Sequence, residues 1–514
     1  MSTQWADALA LLPDLLAQHV LLSAAALGLG LAIALPLAVL AVRHEALRWP
    51  VLTSAGLIQT IPGLALLALF YPLLLALSGL TDAWFGYSFQ ALGFLPALLA
   101  LTLYSMLPIL RNTVTGLLGV DNDVLEAADG VGMTPRQKLF WVQLPLAAPT
   151  ILAGIRTAAV WTIGTATLST PVGQPSLGNY IFSGLQTENW VSVLVGCLGA
   201  AALALIVDQM LGLVESGLKE RQRGQIWVAL SALVAGTLAA MSVTIVPKPV
   251  SYVVGAKNFS EQFILAEMIG ARLEKAGASV ARTDGLGSAI VFRALEAGDV
   301  DVYVDYSGTL WANVMGRTDV PPRAAMLAEL TTWMAANRKV TVLGSLGFEN
   351  AYALAMRRSD AERLGIKTLD DLAQRGRDLR LGSDLEFLSR PEYAALKAAY
   401  GLRFRSETSY NPTFMYRAIA SKEADVISAF SSDGRIAGQD LVVLSDPKGA
   451  IPAYDAVILL APTRANDGVL RRAVEPLIGA IPVEAMRKAN LAVDRDEGKL
   501  SPAQAARALE ATLE

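Results

Sequence analysis

Residues 16–42 read LAQHVLLSAAALGLGLAIALPLAVLAV, 27 positions without a single Asp, Glu, Lys or Arg. Roughly 20 apolar residues suffice for a helix to cross a hydrocarbon core about 30 Å thick. Working outward, further runs of this kind follow at about 51–79, 92–112, 146–170, 191–217 and 225–246. Backbone in lipid must satisfy its own hydrogen bonds, so the expectation is six membrane-spanning helices. Beyond about residue 247 the composition changes to the mixed charge of a domain that lives in water.

The cations fix the orientation. Of 42 Lys and Arg, nine lie in the first 245 residues and 33 in the last 269. Arg43 and Arg48 lie between the first two runs; Arg111, Arg136, Lys138 and Arg156 lie in or beside the third connection; Lys219, Arg221 and Arg223 lie between the fifth and sixth. The alternate loops, 1–15, 80–91 and 171–190, contain no Lys or Arg. Positive loops stay inside, which places residue 1 and everything after the sixth span outside. Residues 1–18 carry Asp7 and Asp14 but no basic residue, so the first run is expected as a true span rather than a signal peptide. Asp208, inside the fifth run, is an expensive residue there, and a structural polar contact is expected for it.

The third connection, about 113–145, has the amphipathic content of two short helices around a glycine turn, with Pro135 suited to the first turn of the second. Glu126-Ala127-Ala128, Gly132, Val142 and Leu144-Pro145 resemble the coupling-loop motif of permease subunits in binding-protein-dependent, ATP-driven importers. Gln59-Thr60-Ile61-Pro62-Gly63 is similar to the compatible-solute branch of these permeases. The resemblance implies that Glu126, Ala127, Ala128, Gly132, Leu144 and Pro145 are gripped by separate cytosolic ATPase subunits. The chain has no Gly-x-x-x-x-Gly-Lys-Ser/Thr loop, so ATP and magnesium are expected on that partner and no cofactor on this chain.

The second half alternates strand and helix patterns. Ser251–Gly255, Val300–Val304 and Tyr352–Met356 read as strands; helices are expected from Ser260, Thr368, Pro391 and Ser501-Pro502. This interleaving implies a parallel-rich α/β fold large enough for two lobes. The two histidines, His19 and His44, both fall in the apolar half, and Cys197 is alone, which leaves no catalytic or metal-binding set in the second half. A net charge of −4 without a basic stripe argues against nucleic acid.

The second half does carry aromatics beside isolated cations, in 255–262, 303–309, 350–352, 387–390, 430–435 and 453–455. In order and approximate spacing these segments resemble the binding proteins for glycine betaine, carnitine, choline and related osmoprotectants. Carried over, the resemblance implies an aromatic cage of Tyr306, Tyr352, Phe430 and Tyr454. Its carboxylate clamp would be Lys257, Thr309 and Arg390, with Asn350 and Phe387 nearby. Phe430 stands where the family often has tyrosine. A trimethylammonium has no N–H, so ring faces recognise it where hydrogen bonds cannot, each contributing about 0.5–2 kcal/mol.

The expected protein is therefore a permease domain over 1–247 and an extracytoplasmic, two-lobed substrate-binding domain over 248–514, with hinges near 346–352 and 448–455. It is expected in the plasma (inner) membrane, as a transporter subunit and not an enzyme, pairing as a homodimer of the permease domain. Its cargo would be a small zwitterion such as glycine betaine, with ergothioneine, choline or carnitine as alternatives. A membrane-anchored solute sensor is the rival reading, and it would need a cytosolic output domain that these loops do not supply. In a Cys197→Ser background, cysteines placed at Thr134 and Ser251 should react with membrane-impermeant reagents from opposite sides. Labelling from one side would refute the six-span topology.

Overall fold

The computed structural model describes residues 3–87, 89–187, 189–244, 251–317, 319–384, 386–495 and 497–513. Two compact units emerge, Met1–Ile181 with Val191–Pro247, and Phe182–Trp190 with Lys248–Glu514. The boundary expected at 247–248 lies outside the described residues.

Among the described residues, six helices are long and apolar enough to cross a membrane: Ala8–Arg43, Gly63–Phe85, Phe94–Leu118, Pro135–Val172, Trp190–Lys219 and Arg223–Thr244. The run expected at 51–79 is not one helix. It divides into Glu45–Thr60 and Gly63–Phe85, and the membrane-length piece is the later one. Pro62 is the reason, since the residue before a proline is pushed out of the helical region. Ile61 is accordingly extended, at φ −72° and ψ 128°. The broken turn is held by the third span: Gln59 Nε2 donates to the Tyr104 carbonyl at 3.0 Å, and the Tyr104 hydroxyl donates to the Ile61 carbonyl.

Small residues let these helices approach closely, which substitutes for the hydrophobic effect that lipid cannot provide. A Cβ on Gly154 would stand 2.5 Å from Asn112 Cβ and 2.7 Å from the Pro108 carbonyl, so the fourth span lies against the third. Ala34, Ala38 and Ala41 of the first span are wholly buried against the third and fourth. One cluster of charges between the spans is paired. Arg156 on the fourth span makes a two-point bond to Asp208 on the fifth (3.0 and 2.9 Å) and a third bond to Glu215 at 2.9 Å. Glu215 also accepts from Lys219 at 2.6 Å. Asp208 is thus a structural contact.

The third connection differs from the two separate short helices expected of it. Asn122–Gly130 is one, capped by the Asp121 side chain. The second, opening at Pro135 with a Thr134–Gln137 capping box, runs without a break through a π-helical stretch, Lys138–Gln143, into the fourth span. Between them Gly132 turns the chain with a left-handed φ of +79°. Ala128 is buried, while Glu126 and Ala127 face outward.

The second unit holds two five-stranded sheets. β1 (Tyr252–Lys257), β2 (Val280–Leu286), β3 (Val302–Tyr306), β4 (Thr341–Glu349) and β10 (Asp455–Leu460) form one, in the order β2-β1-β3-β10-β4. β5 (Tyr352–Arg357), β6 (Arg380–Ser383), β7 (Ser406–Ser409), β8 (Val426–Phe430) and β9 (Leu441–Val443) form the other, in the order β7-β6-β8-β5-β9. Each sheet keeps three neighbouring strands parallel and places one antiparallel strand fourth, β10 or β5. The chain leaves the first sheet at Asn350-Ala351 and returns between Val443 and Asp455. The two crossings touch: Asn350 N donates to the Tyr454 carbonyl at 2.9 Å.

Removing Arg156 alone leaves Asp208 without its cation among apolar helices and Glu215 with only Lys219. Arg156→Met should lower stability by about 2–3 kcal/mol, less than for a wholly buried pair because these side chains are partly exposed. Adding Asp208→Asn and Glu215→Gln should recover most of the loss, read as the melting temperature in detergent. A triple variant no more stable than Arg156→Met would show that the charges are not coupled.

Candidate functional site

A cleft opens where the two sheets face each other, at the crossings just described. Strand ends build it. Tyr306 closes β3, Tyr352 opens β5, Phe430 closes β8 and Tyr454 precedes β10, so each sheet delivers two rings from the ends of its inner strands. Tyr352 centres the group, with ring centroids 4.8 Å from Phe430 and 5.8 Å, edge-on, from Tyr454. All four rings line the cleft. Burial holds the Tyr306, Tyr352 and Tyr454 phenols well above the usual tyrosine range, so the rings are neutral and offer π faces.

A fifth ring completes the wall. Phe259 follows β1 and lies parallel to Phe430 (6.2 Å, 5°), with the Tyr306 centroid 6.1 Å away at 28°. Phe259 lies in the 255–262 segment but outside the cage expected from sequence; its position just after a buried strand, beside Lys257, is the signal that points to it. Phe387 behaves differently from expectation. It does not line the cleft but packs behind Tyr352 at 5.0 Å, against Tyr393, and fixes that ring from the rear.

Arg390, Thr309, Asn350 and Lys257 all line the cleft. The Arg390 Cζ stands 5.2 Å from the Tyr352 centroid. Its Nη1 bonds Glu386 at 2.9 Å and its Nη2 donates to Thr309 Oγ1 at 3.4 Å. Glu392, near Nε, accepts the Tyr454 hydroxyl. Lys257 is less free than its sequence suggests. Its ammonium is paired with buried Asp305 and lies 5.2 Å from the Tyr306 ring. Glu261, Asn490 and Arg435 also line the cleft and were not assigned from sequence. Asn490 sits inside the late helix Val483–Asp494 and carries no local signal at all. Burial raises the Glu261 carboxyl, against the opposing effect of bonds from Ser432, Tyr306, Asn490 and Asn350.

A row of neutral rings ending in a guanidinium can hold a cation by its faces and an anion by its fork. Residues 250–510 match the family described as the substrate binding domain of ABC-type glycine betaine transport systems. Residues 26–220 match the binding-protein-dependent transport system inner membrane component. The chain belongs to this importer family, as a permease fused to its substrate-binding domain. The ergothioneine transport permease/ergothioneine binding protein of Helicobacter pylori is 31% identical over 430 residues, which cover 80% of this chain and 74% of that one. The choline transport permease of Bacillus subtilis is 40% identical over 198 residues, 38% of this chain and 84% of that one. An osmoprotectant import permease of Salmonella typhimurium is 40% identical over 200 residues, 39% and 88% respectively.

Membership makes the importer a multi-pass protein of the inner membrane with its binding domain outside the cytoplasm. It implies ATPase partners and a small-molecule substrate, and it fits a transport component rather than an enzyme.

Proposed function

We propose that this importer takes up a small quaternary-ammonium zwitterion of the glycine betaine class, driven by ATP hydrolysed on separate cytosolic subunits. The observation that carries the reading is the unbroken row of rings, Tyr306, Phe259, Phe430 and Tyr352, ending at Arg390. Tyr306, Tyr352, Phe430, Tyr454 and Phe259 hold the ammonium; Arg390 and Thr309 hold the carboxylate. A ligand carboxylate would replace Glu386 on Nη1, and Glu386, whose side chain is 55% exposed, returns to water at little cost. Lys257, neutralised by Asp305, shapes the Tyr306 side of the cage, and Asn350 ties it to the crossing. Closure of the two lobes about the crossings buries the cargo.

Glu126, Ala127 and Gly132 meet the ATPase, with Leu144 and Pro145 carrying the motion into the fourth span. Two copies pair to enclose a path, and the chain carries no cofactor and no nucleic-acid surface. Ergothioneine is the second reading, favoured by the Helicobacter pylori relative that spans both halves of the chain.

Calorimetry on the full chain in nanodiscs tests the pocket. Tyr352→Ala should weaken every quaternary amine by about 1–2 kcal/mol, five- to thirtyfold, and Tyr352→Phe much less. Arg390→Ala should weaken glycine betaine more strongly yet leave choline, which has no carboxylate, nearly unchanged. Equal losses for both ligands would remove Arg390 from the carboxylate site.

The coupling residues answer to a different readout. Glu126→Lys, or Gly132→Asp at its left-handed position, should abolish transport while ligand binding persists. Normal uptake by both variants would refute the loop assignment.

A further inference from the structure

The two chain crossings are joined by a further attachment between the lobes. The turn Ser431–Gly438 lies between β8 and β9 of the second sheet, whereas the helix Val483–Asp494 follows β10 of the first. Along that helix Arg487, Asn490, Leu491 and Asp494 recur every three or four residues and so share one face. Each of them meets the turn. Arg487 Nε and Nη2 both donate to the Ser431 carbonyl, at 3.0 and 2.8 Å. Asn490 Nδ2 donates to the Ser432 carbonyl at 2.9 Å, and Asp494 lies 3.8 Å from Arg435 Nε. Ser432 Oγ adds a bond at 2.6 Å to Glu261, on the helix Ser260–Lys275 of the first lobe.

Gly434 is what lets the turn come so close. A Cβ there would stand 2.6 Å from the Leu491 N and Cβ and 2.7 Å from the Arg487 carbonyl oxygen. Two of those three atoms are helix backbone, which cannot rotate aside. Gly434 is buried and its φ lies outside the left-handed region, so the missing side chain serves close approach alone. The contact also sits beside a crossing: Ser431 N donates to the Ala351 carbonyl and Ala351 N to Ser431 Oγ, both at 2.9 Å. Points near a hinge axis move least, so a seam here can stay packed while the mouth of the cleft opens. Two connecting segments alone would let the lobes twist as well as bend, and a third packed point opposes the twist.

We propose that this seam, with Gly434 seated on the helix Val483–Asp494, is the fulcrum on which the lobes close. Gly434 and Arg487 are then positioning residues for capture. Neither lines the cleft. They act by setting how nearly Phe259 and Tyr306 of one lobe meet Tyr352 and Phe430 of the other. The inference rests on the closure of the lobes described under the proposed function, and it holds for any cargo. That indifference separates it from Arg390, whose loss distinguishes one ligand from another.

Distances between the lobes test it on the full chain in nanodiscs. Spin labels go on Lys275→Cys and Glu423→Cys, one exposed site on each lobe, in a Cys197→Ser background. Gly434→Ala pushes the turn off the helix, so the distance between labels should lengthen even without ligand. Its affinity for glycine betaine and for choline should fall alike, by roughly tenfold. Arg487→Met removes the two bonds to Ser431 from an exposed side chain without adding a wedge, and should weaken both ligands about threefold; Arg487→Lys, which keeps one donor, should lose less. Wild-type distances without ligand in both Gly434→Ala and Arg487→Met overturn the fulcrum, even where the melting temperature falls, because the contact would then only stabilise. Unequal losses for the two ligands overturn it too. Failure of the wild-type chain to bind either ligand overturns the quaternary-amine reading instead, and the ligand-free distances still decide the fulcrum.

Discussion

Ionised groups are expensive in hydrocarbon, about 2.5–3.5 kcal/mol each at a helix centre by insertion scales, and that penalty organises this molecule. It gathers the few cations of the first half into alternate connections, so the protein can be threaded in only one sense. It also forces Arg156 to bring two carboxylates with it, tying the fourth span to the fifth. The position of a water-soluble domain after the sixth span then follows without further instruction. That domain stands outside the cytoplasm, on the side from which an importer draws its substrate.

Composition made the spans readable, because hydrocarbon tests every residue of a helix in the same way. It could not place the break at Pro62. An apolar run looks continuous whether or not a proline interrupts its hydrogen bonds, and only the bonds from Gln59 and Tyr104 reveal that the interruption is held open. The coupling motif was legible as residues but not as architecture. A glycine and a proline suggested two short helices, whereas the second is continuous with the fourth span.

The ring residues were legible through the resemblance of their segments, in order and spacing, to the osmoprotectant-binding proteins. Direction was not. Phe387 and Phe259 have similar neighbours in sequence, yet one backs a cleft ring and the other is one. Charge misleads in a related way: Lys257 reads as a free cation until folding sets Asp305 against it. Asn490 arrives from the far end of the chain, and a lone asparagine within a helix announces nothing. What local pattern lacks in each case is the identity of the atom across the gap.

The helical stretch from Pro135 to Val172 makes the end of the third connection and the fourth span one rod. At 1.5 Å per residue its 38 residues reach roughly 57 Å, more than the thickness of the bilayer with its headgroups. A rod of that length, grasped at one tip, swings the other through a wider arc when it pivots near the grip. Its π-helical stretch, Lys138–Gln143, lies just beyond the tip and widens the coil there. That is where a rod can flex without breaking. The flexible stretch and the tip thus lie a few residues apart, just ahead of Leu144 and Pro145.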